Sequence, residues 1–361
     1  MTQPENSHQT GIETNMQISC SRGMVDWLAA NNISIALTSY QTGQLFMIGR
    51  LPTGALSVHQ QNFDRAMGVW ADSQRIYVAT AFELTRLENV LLPGQIANQQ
   101  YDRMFVPRNT QATGDLDIHE LGVEPNGRIL FVNTLYSCLA SFDLTHGFRA
   151  IWKPPFISKL APEDRCHLNG LAMEDGKARY VTAVSRSDSV DGWRNRRGEG
   201  GLLIDLADDD RIVTEGLSMP HSPRVYNDQL YVEDSGRGYL CRVDRKTGKT
   251  EDIAFMPGFL RGLSFVGKYA IATLSEPRDG SFSGLQLDDE IAKRNADPWC
   301  GVQIIDLTNG DVVQWIRLQG PIRELFSVDT LPGVAAPYAV PYGSNDHKNF
   351  RTFTSNFELD Q

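Results

Sequence analysis

The stretch HLNGLAMEDGKARYVTAVSRSD (167 to 188) has a polar lead-in, an apolar strand, a turn at EDGK, a second strand and a polar exit. The same form returns in HELGVEPNGRILFVNTLYSCLASFDLTHG, HSPRVYNDQLYVEDSGRGYLCRVDRKTG and FLRGLSFVGKYAIATLSEPR, and in the earlier copies RGMVDWLAANNISIALTSYQTGQLFMIG and RAMGVWADSQRIYVATAFELTRLEN. A weaker copy, IRELFSVDTLPGVAAPYAVPYGSND, comes late. Between hairpins, GGLLIDLADDDRIVTEG and GVQIIDLTNGDVVQWIRL read as two further strands with a turn. One such sheet cannot bury both its faces. Units of about 40 to 50 residues with four strands therefore stack radially, and the expected fold is all-β: a single β-propeller of four-stranded antiparallel blades.

Aligned on the lead-in, the first inner-strand positions are Arg22, Arg65, His119, His167, His221, Phe259 and Ile322. Seven blades are favoured, and six stays open because the last copy is weak. The amino-terminal MQISC is expected to complete the last blade. The reading divides the chain into a disordered or extended tail (1–15), the propeller (16–345) and a carboxy-terminal tail or closing strand (346–361). The segment DDEIAKRNADPW (288 to 299) is read as a loop insertion.

LYVEDSGRGYLCRVD resembles the strand motif of the six-bladed gluconolactonase, strictosidine-synthase and NHL-repeat propellers. Over its whole length, through CHLNGLA, MPHSPRV and YVEDSGRG, the chain resembles a bacterial family of conserved hypothetical β-propeller proteins. That resemblance implies a propeller and no activity.

A net charge of -10 and the lack of any Lys/Arg run speak against a nucleic-acid surface. The polar amino terminus has no signal-peptide pattern and no run approaches a membrane span, so the expectation is a cytoplasmic protein, a monomer or small homo-oligomer, with neither nucleic-acid nor membrane partners. Five scattered cysteines without CxxC spacing suit a reducing compartment. Cys166, beside His167, reads as a core residue rather than a nucleophile.

Equivalent lead-in positions form a ring about the propeller axis. Only 7 of 361 residues are histidine, so three in one register, His119, His167 and His221, call for explanation. Three neutral imidazoles with an open position could hold a divalent transition metal, zinc or iron before calcium, and make its water a nucleophile. Glu324 is the candidate base, with Arg65, Arg261 and Asn169 beside it in the catalytic set; Arg22, Arg224, Trp193 and Arg194 are candidate substrate contacts. Glu120 alternates away from His119 on an ideal strand and carries a weaker case. The loop SDSVDGWRNRRGEGG (187 to 201) is a candidate lid, and a second insertion, SEPRDGSFSGLQLDDEIAKRNADPW (275 to 299), after the second strand of the FLRGLSF repeat could wall the same pocket.

The leading expectation is a metal-dependent lyase or hydrolase acting on a small, anionic molecule or peptide end. By fold analogy, the peptide-amidating lyase and the carotenoid oxygenases place histidine-bound metals on propellers. The rivals are a non-catalytic ligand- or protein-binding propeller and a metal-independent condensation enzyme resembling strictosidine synthase.

Overall fold

A computed structural model describes residues 16–353; the expected tail 1–15, with His8, and residues 354–361 lie outside it. Six sheets surround one axis. Blades 1 to 5, numbered by their innermost strands, begin at Val69–Ala71, Ile118–Val123, Leu168–Glu174, Pro220–Tyr226 and Phe259–Val266, and each continues outward in chain order. Blade 6 is composite: Val328–Pro332 from the carboxy-terminal region is innermost, and Ile33–Ser39, Gln44–Arg50 and Leu56–Asn62 follow. The propeller expectation is met, and the blade count is six rather than seven.

The extra blade came from counting one blade twice. The copies starting at Arg22 and Ile322 are the two parts of blade 6, and the supposed first strand after Arg22 is an α-helix, Met24–Asn31. Its Met24, Trp27 and Leu28 are buried among core residues of blades 5 and 6. The strand Gln17–Cys20 adds to the outer edge of blade 5 beside Val312–Gln319, so it does not make the closure expected of it. On blade 1, Pro337–Ala339 lies parallel to the outer strand Arg103–Ala112. The insertion read as loop contains a helix, Gln286–Lys293, with Leu287 and Ile291 buried. Within the carboxy-terminal tail, Asn345–Asn349 is a short helix. Among the described residues no helix is long and apolar enough to cross a membrane.

Local chemistry explains the hairpins. Asp175 and Gly176 both have positive φ, 50° and 73°, as the tight turn of a right-twisted hairpin requires. Strand residues such as Leu171 and Val181 of blade 3 pack against Leu130 and Val132 of blade 2, so each core layer is shared by two blades. Hydroxyls then tie neighbouring blades. Thr134 donates to the Leu168 carbonyl (2.6 Å), Ser222 to that of Arg261 (2.7 Å) and Thr273 to that of Phe326 (3.2 Å). At the closing seam Thr38 donates to the Met67 carbonyl and accepts from the Ser327 amide.

Thr38 is fully buried, so Thr38→Val keeps its volume while orphaning two backbone groups. A loss of about 1–3 kcal/mol is expected in urea unfolding; an unchanged midpoint would contradict this role for the seam.

Candidate functional site

All inner strands run the same way along the axis, so their first residues meet at one mouth, here called upper, and their later residues at the other. A pocket of ≈ 550 Å³ opens at the upper mouth, lined by Arg65, His119, His167, His221, Arg261 and Glu324 among others. The ring of lead-in side chains therefore exists for five of its seven expected members, Phe259 included. Of the other two, Arg22 is exposed just ahead of the Met24–Asn31 helix, outside the pocket, and Ile322 is buried in the core shared by blades 5 and 6.

Irregular backbone aims these side chains. Register shifts interrupt the pairing of the inner strand in blades 2 to 5, after Leu168 in blade 3 and after His221 in blade 4. Arg65, Asp117, His167, Met219 and Ser222 all have φ between 41° and 53°, a left-handed conformation unusual for such residues. Bulges of this kind re-aim a side chain and end regular alternation.

The three imidazoles share one arrangement. His119 Nδ1 lies 2.9 Å from the Asp117 carbonyl and 2.9 Å from Thr134 Oγ1, whose own proton goes to Leu168. His221 Nδ1 lies 2.8 Å from the Met219 carbonyl. His167 Nδ1 lies 2.8 Å from the Asp164 carboxylate. In each ring, then, Nδ1 carries a proton and donates into the wall, so that Nε2 is the nitrogen left for the pocket. Burial, reinforced by the neighbouring imidazole and partly offset by Asp117, holds His119 below its ordinary pKa. Burial and the Arg261 charge hold His221 well below.

The rings of His119 and His167 stand edge to face with centroids 5.0 Å apart, and Trp193 stacks on His167 at 4.1 Å. Trp193 Nε1 also donates to Asp164 (2.7 Å). Burial raises the Asp164 pKa, but the hydrogen bonds and charges from His167, His119 and Trp193 outweigh it and the net direction is down.

Among the described residues no three His, Cys, Asp or Glu side chains converge as a ready-made metal shell. The donor chemistry of the histidines suits a metal; their spacing does not enclose one. Glu324, the expected base, is held by Arg278 (2.9 Å), Arg261 (3.5 Å) and the Tyr40 hydroxyl. These partners overcome its burial and lower its pKa, which makes it a weak base.

Arg65 pairs with Asp115 and Arg194 with Asp191, whereas Arg197, also lining the pocket, has no carboxylate partner among the described residues. Both insertions reach this mouth and touch where Arg197 donates to the Ser283 carbonyl. Asn169 is buried, accepting from Thr182, and its amide nitrogen has no partner among the described residues. Arg224 belongs to the lower mouth, paired with Glu120 at 3.1 Å. Cys166 is core, and burial pushes its thiol up to about 12.

Residues 22–340 match a family model described as a domain of unknown function (DUF4915). Comparison with curated proteins finds no match. Among solved structures, a chain from the crystal structure of a nidogen/laminin complex is similar, with a TM-score of 0.52 and 12% identity over 83% of this chain and 99% of that one. Identity that low carries the fold alone.

His119 and His221 are expected to be neutral Nδ1–H tautomers at pH 7, with midpoints below the ordinary value near 6.5. Long-range ¹⁵N–¹H correlation spectra check this, and an imidazolium pattern at pH 7 for either ring would contradict it.

Proposed function

We propose, for a chain that belongs to the DUF4915 family, that the upper mouth is an active site where His167, oriented by Asp164, acts as general base on a small molecule in lyase or hydrolase chemistry. The observation that carries this reading is the Asp164–His167 pair. A carboxylate fixes Nδ1–H, which makes the pocket-facing Nε2 the more basic nitrogen and stabilises the imidazolium formed when it takes a proton. Trp193, bonded to the same carboxylate and stacked on the ring, holds both partners in place.

His119 and His221 stay neutral and offer acceptors for substrate hydroxyl or amine protons. Arg197 and Arg261 suit an anionic head, while Met67, Met219, Phe282 and Phe326 give the pocket apolar walls for the rest of the molecule. A volume of ≈ 550 Å³ favours a small-molecule ligand over a protein docked on a flat face.

A metal-dependent mechanism is the second reading. It is favoured by the outward engagement of all three Nδ1 atoms, the arrangement that orients histidines toward zinc or iron. Loading would require the rings to close in further than they stand. Calcium, which prefers oxygen donors, fits this face less well.

Two measurements decide. Elemental analysis of tag-free protein should find less than a tenth of an equivalent of transition metal if the base works alone, and near-stoichiometric metal, lost in His167→Ala, if the second reading holds. Turnover found in a screen of small esters, lactones and hydroxy acids should fall by roughly 10²-fold or more in His167→Ala with the fold kept. Wild-type rates in that variant would remove both readings.

A further inference from the structure

At the lower mouth the later inner-strand residues surround a second pocket of ≈ 290 Å³, on the far side of the channel from the histidines. Its wall combines carboxylates, Glu120 and Asp329, with aromatic rings, Trp70, Tyr226 and Phe265. Tyr226 and Phe265 are stacked at 4.7 Å with their planes 9° apart, so they present one continuous rim.

The charges here do not balance. Arg224 is the one guanidinium of the lining, and it is committed to Glu120 (3.1 Å). Asp329 accepts from the Ala71 and Thr330 amides and from Ser264, but has no cation in contact among the described residues. Deeper in the channel Glu233 is fully buried, and neither of its carboxylate oxygens has a partner among the described residues. Arg224 and Glu120 are its neighbours in charge, together with Arg261, which is already shared with Glu324. Burial holds Glu233 well above the ordinary carboxyl pKa, which favours its uncharged form, so of the carboxyl groups at this mouth Asp329 is the one left without a cation among the described residues. An unpartnered buried carboxylate is costly, and a bound positive charge would relieve it.

We propose that the lower mouth is a binding site for a small organic cation, an alkylammonium, seated on Tyr226, Phe265 and Trp70 with its charge toward Asp329. Aromatic faces attract ammonium groups, and the pocket is the size of such a ligand. A calcium or magnesium ion needs a shell of oxygen donors, and among the described residues no such cluster is formed. The site is independent of the upper mouth.

The pH dependence has a definite sign. Burial pushes Asp329 up to about 6, against the opposing Ala71 and Thr330 amides, Arg224 and Ser264. Among the described residues the titratable groups lining the pocket are Asp329, Arg224, Glu120 and Tyr226. A cation prefers ionised Asp329, so affinity rises as pH rises through about 6.

Calorimetric titration of the full chain with tetramethylammonium and with putrescine, at matched ionic strength, tests the proposal. Saturable binding is expected, about tenfold tighter at pH 7.5 than at pH 5. It should weaken at least tenfold in Asp329→Asn and in Tyr226→Leu, the latter keeping every carboxylate, and stay unchanged in His167→Ala. No saturable binding by either amine, wild-type affinity in both lower-mouth variants, or displacement of the amine by equimolar calcium would overturn it. If Asp329→Asn does not fold, Tyr226→Leu and the wild-type pH profile decide.

Discussion

A ring of sheets keeps its shape only if its last seam closes. Here the seam is the five-residue antiparallel pairing of Ile33–Leu37 with Val328–Pro332, two segments nearly three hundred residues apart in the chain. Without it blade 6 would lose its inner strand, and both neighbouring core layers would open to water. The hydroxyl ties between adjacent blades depend on the same closure, because each reaches across a gap whose width the ring sets. Thr38, bonded to Met67 on one side and Ser327 on the other, stands where both constraints meet.

Closure also fixes the pocket. Three histidines from blades 2, 3 and 4 could reach a common space in an open arc, but Glu324 and Phe326 come from the segment leading into the closing strand. Phe326 packs edge to face on His119 at 5.1 Å, and Glu324 gathers Arg261, Arg278 and Tyr40. One wall of the upper mouth is polar and belongs to the early blades. The opposite wall joins Tyr40, Glu324 and Phe326 of the closing blade to Arg261 and Arg278 of blade 5.

The propeller was legible because period-two strands and turns such as Asp175-Gly176 are local signals that repeat. The blade number was not, since the composite blade places its inner strand at the far end of the chain. MVDWLAAN reads equally as a buried strand or as a helix face, and only the surrounding core settles it. The histidine ring stood out through scarcity of the residue. Asp164 and Asp117 did not, because they sit on turns with left-handed backbone, φ 40° and 53°, that fold them back against rings they precede in sequence. Glu120, expected to alternate away from His119, does lie away from it: the two consecutive residues of blade 2 line opposite ends of the channel.

The composite blade has a consequence for how the molecule comes into being. During synthesis, blades 1 to 5 can pair strand by strand as they emerge, while Ile33–Ser39 must wait with an uncovered edge for a partner made almost last. Until Val328–Pro332 is made, the blades can form at most an open arc, with the histidine wall present and Glu324 and Phe326 close behind it in synthesis. Contacts of such long sequence separation form slowly, and the exposed strand edge is the place where one half-made ring would join another.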